Sequence, residues 1–317
     1  MHSFVFGPVK SIALLGASSL FLPLRQWASS KSISTAIITS PDQAPTLKDV
    51  QPIVVDELTA DLKSTLGDIS IAISLGARWI MKEPVRKALF ADRVVNCHGA
   101  RLPFERGGGN WSYRAMRGDR LGCLLIHQVD DGVDTGAVLA AQDYVIPRNC
   151  RTPAEIHGDY LNRLLPFIIS FLESGLAGSK SVEASSLPAY IGSYFPRLHT
   201  PTHGWIDWTL PGPEIERFIL AFDEPYPGAL AFWNNELVHL KSCQLHGGEP
   251  RLADWQSGTV IRKGDGFLVV GLRDGWSLIV EHVRNKAGQD VLAKVREGDR
   301  LAGVRSDRVT IGPHGPK

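Results

Sequence analysis

The chain has 317 residues, 44% of them hydrophobic and 21% charged, with a formal net charge of +1. A chain of this length predicts two domains more than one, and its near-neutral charge gives no strong case for nucleic acid or an anionic membrane surface. The four cysteines, Cys97, Cys123, Cys150 and Cys243, form no C-x-x-C pair and no metal spacing. A reducing cytoplasm is the simplest setting for them, and no metal is expected.

Residues 3–6 read as a strand that opens an α/β sheet and stops at Gly7-Pro8. Residues 11–24, after Lys10, resemble the core of a signal peptide, yet they are too short and too rich in Ser to span a membrane. A buried helix over residues 10–27, bent or ended at Pro23, is expected instead. Strands are predicted at 35–39, 52–55, 69–75 and 93–97, a loop or short helix at 46–51, and helices at 58–66 and 79–89. This alternation predicts an α/β fold, a doubly wound and mostly parallel sheet. Sites in such sheets lie at the carboxyl ends of strands, where Asn96 and His98 fall.

Arg106-Gly107-Gly108-Gly109-Asn110 lacks the G-K-[ST] ending of a phosphate cradle. Its glycines suit close backbone approach, and Asn110 suits the cap of a helix running to Met116. Further strands are expected at 124–129 and 137–146. Thr152-Pro153-Ala154-Glu155 opens a long helix with a cap, a first-position Pro and a capping-box Glu. Pro166 should kink it, and Gly175 should end it. Residues 177–202 read as a linker, so the domains divide at 1–198 and 199–317. His199 and His203 flank Pro201 with no third ligand in view, a weak metal signal. A helix at 213–222 precedes a hairpin around Asn234-Asn235-Glu236 and strands at 258–262, 266–272 and 276–282. Five or so short strands suit a small open barrel of the oligonucleotide-binding (OB-like) type.

Three side chains between residues 94 and 136 carry the chemistry. Asn96 and His98 are two apart at the end of a β-branched run, so in a strand they face one side together. Asp134 follows the second apolar run inside a glycine-containing turn, and it can reach the imidazole if the two runs are neighbouring strands. This set suits acyl transfer to an amine. An amide N–H donates to a carbonyl oxygen as it becomes an oxyanion. An imidazole takes the amine's proton and passes it to the leaving nitrogen. A carboxylate holds the ring in one tautomer and stabilises its charged form. Each residue alone also has a bland reading: a hydrogen-bonded structural His, or an Asp that only closes a turn. Cys97 would face away from the other two and is read as packing.

The two halves, N-x-H-x-x-x-L-P-x-x-R-G and D-x-G-x-D-T-G, resemble the signature of the formyl transferase family that uses 10-formyltetrahydrofolate. Asn96, His98, Leu102, Pro103, Arg106, Gly107, Asp130, Gly132, Asp134, Thr135 and Gly136 stand at matching positions. The family pattern has S-L-L-P where this chain has Ala100-Arg101-Leu102-Pro103, so Arg101 is a departure. The resemblance implies a Rossmann-like core, with Asn96, His98 and Asp134 as catalytic residues. It also implies 10-formyltetrahydrofolate as cosubstrate, held by Leu75, Gly76, Ala77, Arg101, Leu102, Pro103, Asp130, Asp131 and Gly132. Residues 205–208, the helix at 213–222 and the P-Y-P-G-A turn are similar to full-length members of the same family.

Family members that formylate methionyl-tRNA carry a basic insertion early in the first domain. Here residues 25–61 hold Arg25, Lys31 and Lys48 against Asp42, Asp49, Asp56, Glu57 and Asp61, which would not attract an RNA acceptor stem. The expected acceptor is therefore a small amine, foremost a nucleotide-linked amino sugar, with a hydroxyornithine-type amine as close rival. Methionyl-tRNA, a folate-deformylating hydrolase and a nucleic-acid-binding module remain as alternatives. The hydrolases usually carry an amino-terminal regulatory domain, which is not expected here. No membrane association is expected, and a homodimer is left open.

Overall fold

The computed structural model describes residues 2–108, 110–185 and 191–303. In chain order its elements are β1 (His2–Phe6), β2 (Ser11–Gly16), α1 (Phe21–Ser30), β3 (Ser34–Thr39), β4 (Ile53–Val54), α2 (Lys63–Leu66), β5 (Ile71–Leu75), α3 (Glu83–Phe90) and β6 (Val94–His98). There follow α4 (Asn110–Arg117), β7 (Leu121–Gln128), β8 (Val138–Val145), α5 (Pro153–Glu173), β9 (Lys180–Ala184), α6 (Thr200–His203) and α7 (Gly212–Ala221). The last are β10 (Ala229–Trp233), β11 (Glu236–His246), β12 (Thr259–Gly264), β13 (Phe267–Gly271), β14 (Ser277–Asn285) and β15 (Leu301–Ala302). Two compact units result, one of Met1–Gly108, Leu121–Val145 and Asp159–Phe195, the other of Gly109–Arg120, Ile146–Gly158 and Pro196–Lys317.

The first unit is built on a seven-stranded sheet in the order β4-β3-β2-β5-β6-β7-β8. Its strands from β4 to β6 are parallel, and β7 and β8 then return antiparallel. Residues 11–16 form an interior strand, β2, not part of the helix expected over residues 10–27. Every residue of Ser11–Gly16 is buried, because β2 lies between β3 and β5 with both faces covered. A strand buried on both faces shows no alternation and reads like a buried helix turn. Helix α1 begins only at Phe21 and contains Pro23 in its first turn, where the missing N–H costs nothing. Strand β1 is not part of the main sheet. It pairs antiparallel with β9, which lies in the segment expected as linker. Residues 186–190 of that segment lie outside the described residues. Ala13, Leu15, Ile38, Ala72, Leu89, Phe90 and Val94 meet in one core cluster beneath the strands.

Helix α5 starts as expected: Glu155 accepts from the Thr152 N–H at 2.9 Å, and Thr152 Oγ1 accepts from the Glu155 N–H at 3.4 Å. It continues through Pro166 to Glu173 as one helix. In the second unit, β12-β13-β14-β11-β10-β15 form a curled antiparallel sheet, with an isolated bridge between Thr259 and Arg300 linking its two edges. The β10–β11 hairpin turns at Asn234 and Asn235, both at positive φ (51° and 65°), the conformation that Asn tolerates in a two-residue turn. Helix α7 packs against β11 and α4.

Leu15 is fully buried in the middle of the sheet. Leu15→Ala should lower unfolding free energy by about 2–5 kcal/mol, read from urea denaturation; a loss below about 1 kcal/mol would contradict the placement of β2 at the core.

Candidate active site

The site is built on the last residues of β6 and β7. Their antiparallel register sets Asn96 opposite His127 and His98 opposite Leu125. Residues opposite one another share a face, so Asn96, His98 and His127 stand on the same side of the sheet. Cys97 takes the other side, opposite Ile126; burial pushes its thiol pKa up, which disfavours a nucleophilic thiolate.

Asp134 reaches this face from the turn after β7. Its backbone is left-handed, with φ of 51°, a conformation Asp adopts at modest cost. The turn folds back so tightly that a Cβ on Gly136 would overlap the Gln128 carbonyl oxygen. Only glycine lets the chain pass there, and the Gln128 N–H then donates to the Ala137 oxygen at 2.9 Å. The Gly107 N–H donates to Asp134 Oδ2 at 2.9 Å. Gly107 is itself at φ 101°, with the Phe195 carbonyl where a Cβ would sit. The carboxylate thus binds the L-P-x-x-R-G half of the motif to the D-x-G-x-D-T-G half.

Two imidazoles face the same carboxylate oxygen. His98 Nδ1 is 3.8 Å and His127 Nε2 3.6 Å from Asp134 Oδ1. His127 was missed by sequence reasoning, because it lies inside the apolar run Leu121–Gln128. Its Nδ1 is 2.8 Å from the Gln128 carbonyl, an acceptor only, so the proton is on Nδ1. In the neutral ring Nε2 then accepts from Asn96 Nδ2 at 3.1 Å. That bond fixes the Asn96 amide and leaves its second N–H to donate elsewhere. His98 Nε2–H donates to the Glu105 carbonyl at 3.0 Å. The tautomer of His98 is therefore set by a backbone carbonyl, with Asp134 acting on Nδ1 through space rather than through a direct hydrogen bond.

Burial is the largest influence on both Asp134 and His98. For Asp134 it opposes ionisation, but His127, the charge of His98 and the Gly107 N–H together outweigh it and hold the carboxyl at about 2. For His98 burial lowers the pKa against the pull of Asp134, which keeps the ring neutral and able to accept a proton at neutral pH.

The remaining expected residues divide into two groups. Arg101, Leu102 and Pro103 line a cavity of about 330 Å³ together with Asp134, Leu125 and Arg106. Arg101 is paired with Asp143, with Nη2 3.0 Å from Oδ2. Arg106 Nε is buried without a hydrogen-bond partner among the described residues. Leu75, Gly76, Ala77, Asp130, Asp131 and Gly132 do not line this cavity. Leu75 is buried at the end of β5, and the Gly76 oxygen accepts from Gln43 Nε2 at 2.9 Å. Asp130 accepts from the Gly132 N–H at 3.0 Å and from Thr135 Oγ1 at 2.6 Å, closing the turn. Asp131 accepts from Arg86 at 2.7 Å and from the Glu83 N–H at 2.8 Å, so its carboxylate ties the turn to the start of α3. Among the described residues no group of three His, Cys, Asp or Glu could hold a metal ion, and no helix is long and apolar enough to cross a membrane.

Because the Asp134 carboxyl ionises more readily folded than unfolded, its stabilisation is full above the unfolded pKa and is lost as pH falls through about 2. With its side chain only 14% exposed, the difference from the ordinary value of 3.8 amounts to about 2 kcal/mol. Urea unfolding from about pH 5 down to about pH 2 should cost the native chain about 2 kcal/mol more than Asp134→Asn; equal acid sensitivity would contradict the buried ion cluster.

A family model described as the formyl transferase C-terminal domain matches residues 199–295. A methionyl-tRNA formyltransferase of Roseiflexus sp. is 27% identical over 290 residues, covering 91% of this chain and 82% of its own length. The solved structure of a sugar 3N-formyl transferase, in the presence of dTDP and 5-N-formyl-THF, shares the fold at a TM-score of 0.64 with 17% identity, over 87% of this chain and 98% of that one. An N-formyltransferase from Helicobacter canadensis, in complex with folinic acid and dTDP-3-aminofucose, does so at a TM-score of 0.61 with 17% identity, over 86% and 99%. The motif halves meeting at one carboxylate, the matched C-terminal domain and relatives along nearly the whole length together support a formyltransferase family for this chain.

Proposed function

We propose that the chain moves a formyl group from 10-formyltetrahydrofolate to a primary amine of a small metabolite. The observation that carries this reading is the shared face of β6 and β7, where His98 and His127 face the ionised Asp134 and Asn96 bonds to His127. The residues present suit the donor. Leu102, Pro103 and Leu125 give the 330 Å³ cavity an apolar wall beside Asp134, and the unpartnered Nε of Arg106 suits an anionic or carbonyl group of a ligand. Leu75, Gly76, Ala77, Asp130, Asp131 and Gly132 would hold the pterin through backbone groups, since both aspartate side chains are engaged within the turn and with α3.

When bound, the donor supplies a formyl carbon open to attack by an amine. The second N–H of Asn96 donates to the formyl oxygen as negative charge grows on it. His98 accepts the amine's proton on Nδ1, and Asp134 stabilises the resulting imidazolium before the proton passes to the leaving nitrogen. His127 positions Asn96 and leaves the proton transfer to His98.

For the acceptor we favour a nucleotide-linked amino sugar. The acidic balance of residues 25–61 supports a small molecule over an RNA stem, and sugar formyltransferases are among the solved structures that share the fold. Methionyl-tRNA is the second reading, favoured by the names of the curated relatives. A hydroxyornithine-type amine remains a rival within the small-molecule class. The curled second sheet is read as an open relative of the oligonucleotide-binding barrel, and the four cysteines, none of them in a disulfide among the described residues, suit a cytoplasmic setting.

An amine panel holding nucleotide-linked amino sugars, hydroxyornithine and methionyl-tRNA, incubated with 10-formyltetrahydrofolate, should yield a formylated small amine by mass. Methionyl-tRNA as sole product would overturn the acceptor, and free formate alone would make the enzyme a hydrolase. Asn96→Ala should lower turnover by about 10²–10³ with the fold kept, and His98→Ala or Asp134→Ala should lose most activity. Undiminished activity in His98→Ala would refute the mechanism.

A further inference from the structure

The second unit contains a hollow of about 200 Å³ far richer in positive charge than the chain as a whole. Arg114, Arg120, Arg148, Arg151 and Arg217 line it, against Asp119 and Glu216. Both acids already have a partner: Arg151 meets Glu216 at 2.6 Å, and Arg117 meets Asp119 at 2.6 Å. Arg120, Arg148 and Arg217 make no ion pair with a carboxylate among the described residues. Three guanidinium charges round one small hollow repel one another unless an anion lies between them.

Two of the three are held in place. Arg120 Nε donates to the Ile146 carbonyl at 2.7 Å, and Arg217 Nε to the Met116 carbonyl at 3.0 Å. Each is anchored through Nε, which leaves the terminal NH₂ groups to donate. A guanidinium already fixed in position loses less entropy on binding an anion than a freely rotating one. Ile156 and Leu220 supply an apolar wall. The hollow is too small for a bulky ligand, and forked donors at several points suit the paired oxygens of a phosphate or diphosphate.

We propose that this hollow binds a diphosphate group, free or as the end of a small ester, through Arg120, Arg148 and Arg217. The site shares no residue with the Asn96, His98 and Asp134 cluster and does not depend on the proposed reaction.

Calorimetric titration of the full chain with inorganic diphosphate at low salt tests it. One saturable site per chain is expected, weakened about tenfold in Arg148→Gln and again in Arg217→Gln. Among the described residues Arg148 has no anchoring bond, so its variant should keep the native melting temperature and stand as the clean test if Arg217→Gln unfolds. Absence of saturable binding, or affinity unchanged in Arg148→Gln and Arg120→Gln, would overturn the site. Equal affinity for inorganic phosphate would overturn the diphosphate assignment. Tighter binding of a mixed-sequence RNA oligonucleotide, lost in the same variants, would replace a small anion with nucleic acid.

Discussion

The half-buried carboxylate of Asp134 is the contact on which the site's geometry rests. It accepts from the Gly107 N–H and lies within 4 Å of both His98 and His127. Removing a charge from water is costly, and only close donors and opposite charge repay it. The chain brings these groups from three separate segments: the Gly107 N–H from the loop after β6, and the two imidazoles from the ends of β6 and β7. Any shift of one of them leaves a half-buried charge partly uncompensated, so the carboxylate reports on the register of the whole sheet edge. The same charge gives a proton on His98 somewhere favourable to sit, which is what a transient imidazolium needs.

His127 shows why the geometry could not be read fully from the motif. Asn96, His98 and Asp134 were legible because strand alternation puts positions i and i+2 on one face and because the D-D-G-V-D-T-G turn is plain in the sequence. His127 was not, since a lone His inside L-L-I-H-Q gives no local sign of its partner. Its neighbour is set by a pairing with Asn96, 31 positions away, and by an irregularity in the β7–β8 ladder beside it. The role of Glu105 in orienting His98 was equally hidden, because a backbone carbonyl carries no sequence signature.

The fold was legible in the same uneven way. Strands at the edges of helices, such as β5 and β6, and the cap that opens α5 follow local rules. The interior strand β2 reads as helix, because burial on both faces erases the period that separates the two. The pairing of β1 with β9 joins segments nearly the whole first unit apart, and nothing local announces it. Where residues answer to distant partners, propensity and pattern stop short; where they answer to near neighbours, the reading holds.

The most direct measurement is a crystal structure with a stable formyl-folate analogue and an amine acceptor bound. The formyl carbon should lie on the β6–β7 face, with its oxygen within about 3.5 Å of Asn96 Nδ2 and the amine nitrogen within reach of His98 Nδ1. A formyl group bound on the opposite face of the sheet, or held away from Asn96 with Asp134 still half-buried, would contradict it.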